Sequence, residues 1–369
     1  MNASLEIQLI AVVVAVACAL PGVFLVLRQM AMLSDAISHA ILPGIVVAFF
    51  LTEDLSSPFL ILGAAAAGVL TVALVELLRK TGLLKEDAAI GIVFPALFSV
   101  GVVLIAQYAG DVHLDVDAVL LGELAFAPFD RISLGDLDLG PKSLVVMGGI
   151  LIINVVFVAT FFKELKLTTF DAALAASLGF APALLQYALM GVVSVTIVGA
   201  FDAVGSILVV ALMVAPPAAA YLLTDDLKKM LVLSGGGAVV SALGGYWMAR
   251  GLDASIAGSM ATMSGAWFVL VLILAPERGL LVRSRKRARQ RAMFARDMLL
   301  IHLYHHEGLP EAERECNVDH LQDHLKWQPQ FAEMAVRAAR KNNLMRIESG
   351  MMVLTEAGRN QARHALVHI

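Results

Sequence analysis

Long apolar segments alternate with short polar ones along roughly the first three quarters of the chain. A membrane-spanning helix needs about 20 predominantly apolar residues, because the hydrocarbon core of a bilayer is about 30 Å thick. The pattern therefore predicts an all-α polytopic membrane protein with eight or nine transmembrane helices. The segments are Leu5–Leu27, Ile37–Leu51, Pro58–Leu78, Ala88–Gln107, Ser143–Phe162, Pro182–Ala200, Val204–Leu223, Met230–Met248 and Ile256–Ala275.

Two places in this pattern are irregular. The segment Ile37–Leu51 is short, and the sixth and seventh segments are separated only by a break at Phe201-Asp202. Short or interrupted hydrophobic segments in transporters often mark the substrate pathway. Asp202 is therefore a candidate pathway residue, and the alternative is that it caps a helix end at the break.

Composition agrees with a membrane protein that carries a polar tail. Hydrophobic residues make up 59% of the chain and charged residues 16%, and the mean hydropathy is +0.81, which excludes a soluble globular protein. From residue 276 onward Lys and Arg number 16 against 11 Asp and Glu, and seven of the nine histidines lie there. We predict a transmembrane domain at 1–282, a basic linker at 283–295 and a small α+β domain at 296–369.

Basic residues flank the apolar segments mainly on one side of a nine-span arrangement, and the loops on the other side are acidic. Because cytoplasmic loops carry an excess of Lys and Arg, the N-terminus is predicted outside and the C-terminal domain in the cytoplasm. The acidic loop Gly110–Pro141 is then external, as a solvated connection or as a surface that attracts cations and a docking partner. The basic positions are Arg28, Arg79, Lys80, Lys85, Lys163, Lys166, Lys228, Lys229 and the cluster Arg283–Arg291.

Asp35 and His39 lie four residues apart in a stretch that is otherwise small or apolar. On a helix this spacing puts both side chains on one face, one turn apart. A carboxylate oxygen beside an imidazole nitrogen suits Zn, Mn or Fe, and ionisable groups at bilayer depth usually serve a function. The alternative is a helix start, with Ser34 or Asp35 as the N-cap and His39 at the membrane interface.

The stretch Leu165–Pro182, between two spans on the predicted cytoplasmic side, has the pattern of a short helix. Thr169 is the expected N-cap and Gly179 the expected C-cap. An isolated helix of two turns is marginal in water, so its apolar stripe must be buried against the membrane domain or against a separate cytoplasmic subunit. That stripe consists of Phe170, Leu174 and Leu178.

Beyond the basic run, the tail is predicted to form three helices, a β-hairpin and a closing helix. This order resembles a winged helix of the metal-dependent repressor type. A winged helix implies DNA contact, for which Arg337, Arg340, Lys341 and Arg346 are candidates, whereas Glu333 and the membrane tether favour an interaction or sensing module. The elements are helices Asp297–His306, Val318–Leu325 and Pro329–Asn342, strands Leu344–Glu348 and Met351–Thr355, and helix Glu356–Val367.

The tail also carries a candidate metal site. Cys316, Asp319 and His320 form the pattern C-x-x-D-H, and His324 follows one turn later. A thiolate, a carboxylate and two imidazoles suit Zn, Fe or Mn, and the alternative is an exposed polar helix face with a buried cysteine. Further histidines that could add a ligand are His302, His305 and His306.

Three stretches together resemble the permease subunits of ABC importers for manganese, zinc and iron. They are LVLRQMAMLSDAISHAILPGI (Leu25–Ile45), KEDAAIGIVFPALFSVGVVLI (Lys85–Ile105) and KELKLTTFDAALAASLG (Lys163–Gly179). The runs Ala203–Leu223 and Leu274–Leu281 fit the same family. The resemblance implies a multi-pass protein of the bacterial plasma membrane that pairs with a second permease, a copy of itself or a different one, around a central pathway.

The same resemblance assigns roles to residues and partners. Asp35 and His39 match the family's aspartate and histidine at the metal pathway, and the transported ion would be Mn, Zn or Fe, with no permanently bound cofactor. The short cytoplasmic helix would couple to an ABC ATPase dimer, and a binding protein outside would deliver the ion. The coupling residues would be Phe170, Asp171, Leu174, Leu178 and Gly179.

The sequence contains no G-x-x-x-x-G-K-[ST] phosphate-binding loop, so the chain is not expected to be an enzyme and ATP hydrolysis is expected on a separate subunit. Two alternatives remain open at this stage. One is a secondary metal transporter that needs no ATPase, and the other is a membrane-tethered, metal-responsive regulator whose tail contacts nucleic acid. The basic run Arg283–Arg291 fits contact with anionic membrane lipid in every case.

Overall fold

The computed structural model describes residues 3–53, 57, 59–108, 124–134, 137–317 and 327–367. The chain folds into two compact units, called unit 1 (Met1–Pro276) and unit 2 (Glu277–Ile369). Unit 1 holds the apolar segments of the sequence, and unit 2 holds the polar tail.

Helices dominate unit 1. Among the described residues, nine helical segments are long and apolar enough to cross a membrane, which confirms the nine predicted spans with ends that shift by a few residues. Helices α2 and α3 together form the second span, and α9 supplies the sixth and seventh. The helices are α1 (Ala3–Leu27), α2 (Met32–Ala40), α3 (Leu42–Thr52), α4 (Phe59–Lys80), α5 (Glu86–Tyr108), α6 (Lys142–Thr160), α7 (Phe162–Phe170), α8 (Ala172–Ser177), α9 (Pro182–Leu223), α10 (Leu227–Leu252) and α11 (Ile256–Leu274).

Helix α9 contains a break, but it lies at Gly205 and not at the predicted Phe201-Asp202. Gly205 has φ 73° and ψ 167°, a conformation open to glycine and closed to most other residues, and it lies near the start of the span Ala203–Leu223, which follows the span Pro182–Phe201. A straight helix of this length would be about 63 Å long, twice the thickness of a bilayer core. Because the Lys228 ammonium lies 5.8 Å from the centroid of the Phe162 ring, the second half returns to the end of unit 1 where α7 begins.

Helix α1 forms the centre of unit 1 and packs against α6, α9 and α10. Small and aliphatic side chains on its inner face are fully buried, for example those of Ala11, Val14, Ala15 and Cys18. Lipid tails are as apolar as these side chains, so helices in a membrane associate through close packing, which small residues permit.

One buried polar contact ties three spans together. The Asn154 side chain on α6 is 1% exposed and donates hydrogen bonds of 2.9 Å to the Ala17 carbonyl of α1 and to the Thr196 hydroxyl of α9. The Thr196 hydroxyl in turn donates to the Val192 carbonyl one turn earlier, at 2.7 Å. These bonds satisfy polar groups that would otherwise meet hydrocarbon.

A β-hairpin that the sequence analysis did not predict lies in the acidic loop. Strands β1 (Arg131–Leu134) and β2 (Leu137–Pro141) pair antiparallel, and the earlier part of the loop lies outside the described residues. Arg131 ties the hairpin to α1, since its guanidinium lies 2.7 Å from the Asp138 carboxylate and 3.3 Å from the buried carboxylate of Glu6. The hydrogen bond from Arg131 holds the pKa of Asp138 below its ordinary value.

Unit 2 combines helices with a second hairpin. Its elements are α12 (Leu280–His306), α13 (Ala312–Glu315), α14 (Pro329–Lys341), β3 (Met345–Glu348), β4 (Met351–Leu354) and α15 (Glu356–Val367). The predicted linker 283–295 is helical, because α12 runs unbroken through it. The predicted third helix, both strands and the closing helix are present with ends that differ by at most one residue, whereas Val318–Leu325 lies outside the described residues. The winged-helix assignment stays a prediction.

Candidate functional site

The Asp35 and His39 side chains lie side by side on α2. The His39 Nε2 atom is 3.7 Å from the Asp35 Oδ1 atom, and both groups are partly accessible, at 32% and 50% of their side-chain surface. Asp35 sits in the first turn of the helix and His39 in the last. The predicted alternative of an N-cap is wrong, because α2 begins after Ala31 with no side-chain cap and the Ser34 hydroxyl donates to the Ala31 carbonyl instead.

Two aromatic rings of α5 orient the imidazole. The His39 ring lies 5.3 Å from the Phe94 ring in a tilted contact and 6.3 Å from the Phe98 ring edge-on, measured between centroids. Phenyl rings offer the imidazole no conventional hydrogen-bond partner, so these contacts do not compete with the Asp35 carboxylate for the Nε2 atom.

The Asp35 carboxylate borders a cavity of about 320 Å³ between α2 and the second half of α9. Of the residues that line this cavity, Asp35 alone carries an ionisable side chain. A carboxylate in such surroundings attracts a cation, because the effective dielectric constant is well below that of water. The other lining residues are Ala31, Met32, Val210, Ala211, Val214 and Ala215.

The third predicted pathway residue, Asp202, has its backbone in α9, three residues before the kinked Gly205. Its side chain lies outside the described part of the chain, as do the tail residues Asp319, His320 and His324. The structure therefore does not test these four predictions.

The predicted coupling stretch forms two short helices instead of one. Asp171 has an extended backbone, with φ −149° and ψ 90°, and separates α7 from α8. Its side chain caps α8 by accepting a hydrogen bond of 2.9 Å from the Leu174 amide. Thr169 was the wrong N-cap, because it lies inside α7. The C-cap residue is Leu178 instead of the predicted Gly179, which follows it with φ 86° and ends the helix with a left-handed turn.

The apolar stripe of this stretch is exposed. Phe170 and Leu178 keep 61% of their surface accessible and Leu174 keeps 46%, whereas Ala175 on the opposite face is fully buried. Phe170 ends α7, Leu174 lies in α8 and Leu178 is the C-cap residue of α8, so the stripe spans two helices. Exposed large apolar side chains in one short stretch form a surface suited to a protein partner.

Arg28 joins this stretch to the polar pair, and the sequence analysis treated it only as a topology signal. Its Nη2 atom donates to the Thr168 hydroxyl at 3.0 Å and its Nε atom donates to the Thr169 hydroxyl at 3.1 Å. Burial lowers the pKa of the guanidinium, which stays charged at neutral pH. Arg28 is four residues before Met32, the first residue of α2, so one side chain links α7 to the segment that carries Asp35.

In unit 2 the structure brings together a different set of residues from the predicted tail site. Ligand atoms of His302, His306 and Glu315 all lie within 4.8 Å of one another. Cys316 is buried but is not a member of this cluster, and burial raises the pKa of its thiol. The sequence analysis named both histidines and missed Glu315, which directly precedes the cysteine.

Nine candidate spans, an acid–imidazole pair inside one of them and an exposed apolar helix between two others are the features of a membrane transport subunit. The chain belongs to the ABC 3 transport family, whose family model matches residues 4–275. This match covers nearly all of unit 1.

Relatives of known name support the same class. The chain is 48% identical over 363 residues to the zinc transport system membrane protein TroD of Treponema pallidum (strain Nichols). This match covers 98% of this chain and 99% of that protein. It is 45% identical over 272 residues to the manganese transport system membrane protein MntD of Bacillus subtilis (strain 168), and this match covers 74% of this chain and 92% of that protein. In a solved structure, PsaBC from Streptococcus pneumoniae in complex with Fab, one chain matches with a TM-score of 0.63 and 26% identity, over 77% of this chain and 96% of that one.

Proposed function

We propose that this chain is the permease subunit of an ATP-driven importer for a divalent transition metal ion, manganese, zinc or iron. The observation that carries the proposal is the Asp35–His39 pair, a carboxylate and an imidazole 3.7 Å apart on one face of a candidate span. The named zinc and manganese relatives support the class of cargo.

The separation of the pair fits one ion held by both residues. Metal–nitrogen and metal–oxygen bonds to Zn are about 2.1 Å long, so donor atoms 3.7 Å apart subtend an angle of roughly 120° at the ion. Two protein donors bind more weakly than the four of a closed structural site. Weak binding suits a pathway, because a conducting site must also release its ion.

The remaining parts of the importer follow from the surfaces of unit 1. The exposed stripe on Phe170, Leu174 and Leu178 would seat in an ABC ATPase dimer, which supplies the hydrolysis that this chain has no phosphate-binding loop to perform. A second permease subunit would complete the pathway beside Asp35, and a metal-binding protein outside would deliver the ion. Unit 2 would lie in the cytoplasm of a bacterial cell, with Arg283–Arg291 near anionic lipid of the plasma membrane.

Uptake of radiolabelled Mn or Zn into vesicles that contain the chain with its permease and ATPase partners tests this proposal. Asp35→Asn removes the charge at nearly constant size, and His39→Leu removes the lone pair, so each should abolish uptake while assembly persists. Asp253→Asn, which removes an exposed carboxylate from the turn after α10, is the matched control and should transport normally. Acidification should also reduce uptake, because protons compete with the metal for both groups.

Near-normal uptake by both pair variants would show that Asp35 and His39 are structural, and Asp202 would become the next pathway residue to test. Uptake that proceeds without ATP would favour a secondary transporter. Normal metal supply to cells that lack the chain, together with altered transcription, would favour a membrane-tethered regulator.

A further inference from the structure

Three metal-ligating side chains meet in unit 2, outside the membrane pair. His302 and His306 lie one turn apart on α12, and Glu315 is the last residue of α13. The ligand atoms of the three residues lie within 4.8 Å of one another. The cluster is partly sheltered, since Glu315 is 8% exposed and both histidines are half-buried.

The two elements that carry the cluster are held in place by the core of unit 2. Leu299 and Leu303 of α12 and Cys316, next to Glu315, belong to one buried cluster. The Met352 amide of β4 donates to the Cys316 carbonyl at 2.8 Å, so the end of α13 is fixed to the hairpin. A rigid frame of this kind keeps donor atoms close together before an ion arrives.

Further contacts hold the donors to each other. A ring nitrogen of His302, Nε2, lies 3.2 Å from the Glu315 carbonyl oxygen, which ties α12 directly to the end of α13. The two imidazole rings lie 4.7 Å apart between centroids. A hydrogen bond at one ring nitrogen sets the tautomer and leaves the other nitrogen with its lone pair.

The chemistry of the cluster selects a class of ion. Two imidazole nitrogens and one carboxylate oxygen suit Zn, Mn, Fe or Co, whereas Ca and Mg prefer sites made of oxygen alone. Donors in a tetrahedral arrangement around one such ion lie about 3.4 Å apart, because each bond is about 2.1 Å long. The present spacing of up to 4.8 Å must therefore shorten by up to about 1.4 Å when an ion binds.

We propose that His302, His306 and Glu315 form a binding site for a divalent transition metal ion in unit 2. The site shares no residue with Asp35 and His39 and does not depend on the transport function. It supplies three protein donors where the membrane pair supplies two, so it retains an ion that the pair only passes on.

Co²⁺ binding to the purified full-length chain tests the site, because Co²⁺ at a nitrogen and oxygen site gives a visible absorption band and occupies the same sites as Zn²⁺. The measurement uses the Asp35→Asn, His39→Leu background, so that the membrane pair contributes nothing and the transport proposal is not under test. His306→Ala and Glu315→Gln remove one donor each. The matched control is His305→Ala, since His305 lies on the same helix, is exposed and has its Nδ1 atom 3.1 Å from the Ile301 carbonyl oxygen.

We expect one equivalent of Co²⁺ with a band that Zn²⁺ displaces. His306→Ala and Glu315→Gln should each weaken binding at least about tenfold, since even the outer-shell partners of metal ligands carry 10- to 100-fold in affinity. His305→Ala should bind as the background does. Unchanged binding in both site variants, or no bound Co²⁺ in the background, would overturn the proposal. Melting temperatures of the metal-free variants that equal that of the metal-free background exclude misfolding as the cause of weaker binding. If His306→Ala proves unstable, Glu315→Gln still tests the site, because glutamine keeps the shape of the glutamate side chain.

Discussion

Arg28 and Thr168 are 140 residues apart in the sequence, and the Arg28 guanidinium donates a hydrogen bond of 3.0 Å to the Thr168 hydroxyl. Thr168 is buried and its hydroxyl also donates to the Glu164 carbonyl, at 2.8 Å, so the contact reaches the backbone of α7. This bond connects α7, which ends at Phe170, with the chain segment that leads into Asp35. We therefore expect a movement of α7 to reach α2 through this side chain.

Replacing Arg28 tests that connection. A hydrogen bond to a charged group contributes about 1.5–3 kcal/mol, and Arg28→Lys keeps the charge but loses the planar fork that reaches two hydroxyls. We expect Arg28→Lys and Thr168→Val to lower the amount of metal transported per ATP hydrolysed, while ATPase binding stays normal. The measurement is the ratio of radiolabelled metal uptake to phosphate release in vesicles. An unchanged ratio in both variants would mean that Arg28 only stabilises the fold.

The exposed stripe predicts a second effect. Burying Phe170 and Leu174 in a partner should contribute about 1.5–3 kcal/mol each, so Phe170→Asp with Leu174→Asp should release the ATPase subunit. Copurification of the ATPase and its metal-stimulated activity measure the loss. Phe170→Leu with Leu174→Met keeps an apolar face of similar size and is the matched control. Intact assembly in the aspartate variant would exclude this surface as the ATPase contact.

Acid should weaken the contact between strands β1 and β2. The pKa of Asp138 is lowered in the folded state by its hydrogen bond from Arg131, so the stabilisation is present above the ordinary carboxyl value of 3.8 and is lost as pH falls through the lower folded-state pKa. Spin labels at Phe129, just before β1, and at Leu139 in β2, both exposed, should therefore show a longer and broader distance distribution as the pH is lowered from 6 to 2. Asp138→Asn should show the broad distribution over the whole range. A distance that stays constant over that range would contradict this role.

The polar contact of Asn154 should contribute to the stability of unit 1. Hydrogen bonds between membrane helices average about 0.6 kcal/mol and reach about 1.7 kcal/mol. Asn154→Leu removes the donor of two such bonds, so it should lower the free energy of unfolding of unit 1 by roughly 1 kcal/mol or more. Thermal unfolding in detergent, followed by tryptophan fluorescence, measures the change. Ile153→Leu alters the neighbouring, 54% exposed position and should leave the midpoint unchanged. A midpoint equal to that of the control would assign Asn154 no net role.

The number and order of the spans followed from hydropathy alone, because a bilayer leaves an apolar segment of about 20 residues no alternative to a helix. A break near Phe201-Asp202 was predicted because a charge interrupts the apolar pattern there, and the structure has it at Gly205. A short helix was predicted within Leu165–Pro182 from local signals, and the structure divides that stretch into α7 and α8. Local sequence therefore predicted most of unit 1.

Features that depend on distant residues could not be predicted in this way. The contact between Arg28 and Thr168, the bond between Arg131 and Glu6 and the cluster around Glu315 exist only after the chain has folded. The N-cap was assigned to Thr169 although Asp171 performs it, because both residue types cap helices and only the extended backbone of Asp171 distinguishes them. The hairpin β1–β2 was missed because four- and five-residue strands in an acidic loop give little periodicity.

The position of His39 within its span has an electrical consequence. Met32–Thr52 comprises 21 residues and is about 31 Å long at 1.5 Å per residue, and His39 is about 10 Å from its Met32 end. If the Thr52 end lies outside, as the distribution of basic residues predicts, and the pair holds the ion, an ion there has crossed about two thirds of the membrane voltage, worth roughly 3 kcal/mol per 100 mV for a divalent cation. A membrane potential that is negative inside would then draw the ion into this site before any ATP is hydrolysed. Metal binding to energised vesicles should rise as the imposed potential becomes more negative, and binding that ignores the potential would place the pair in a water-filled vestibule at the same voltage as the outside.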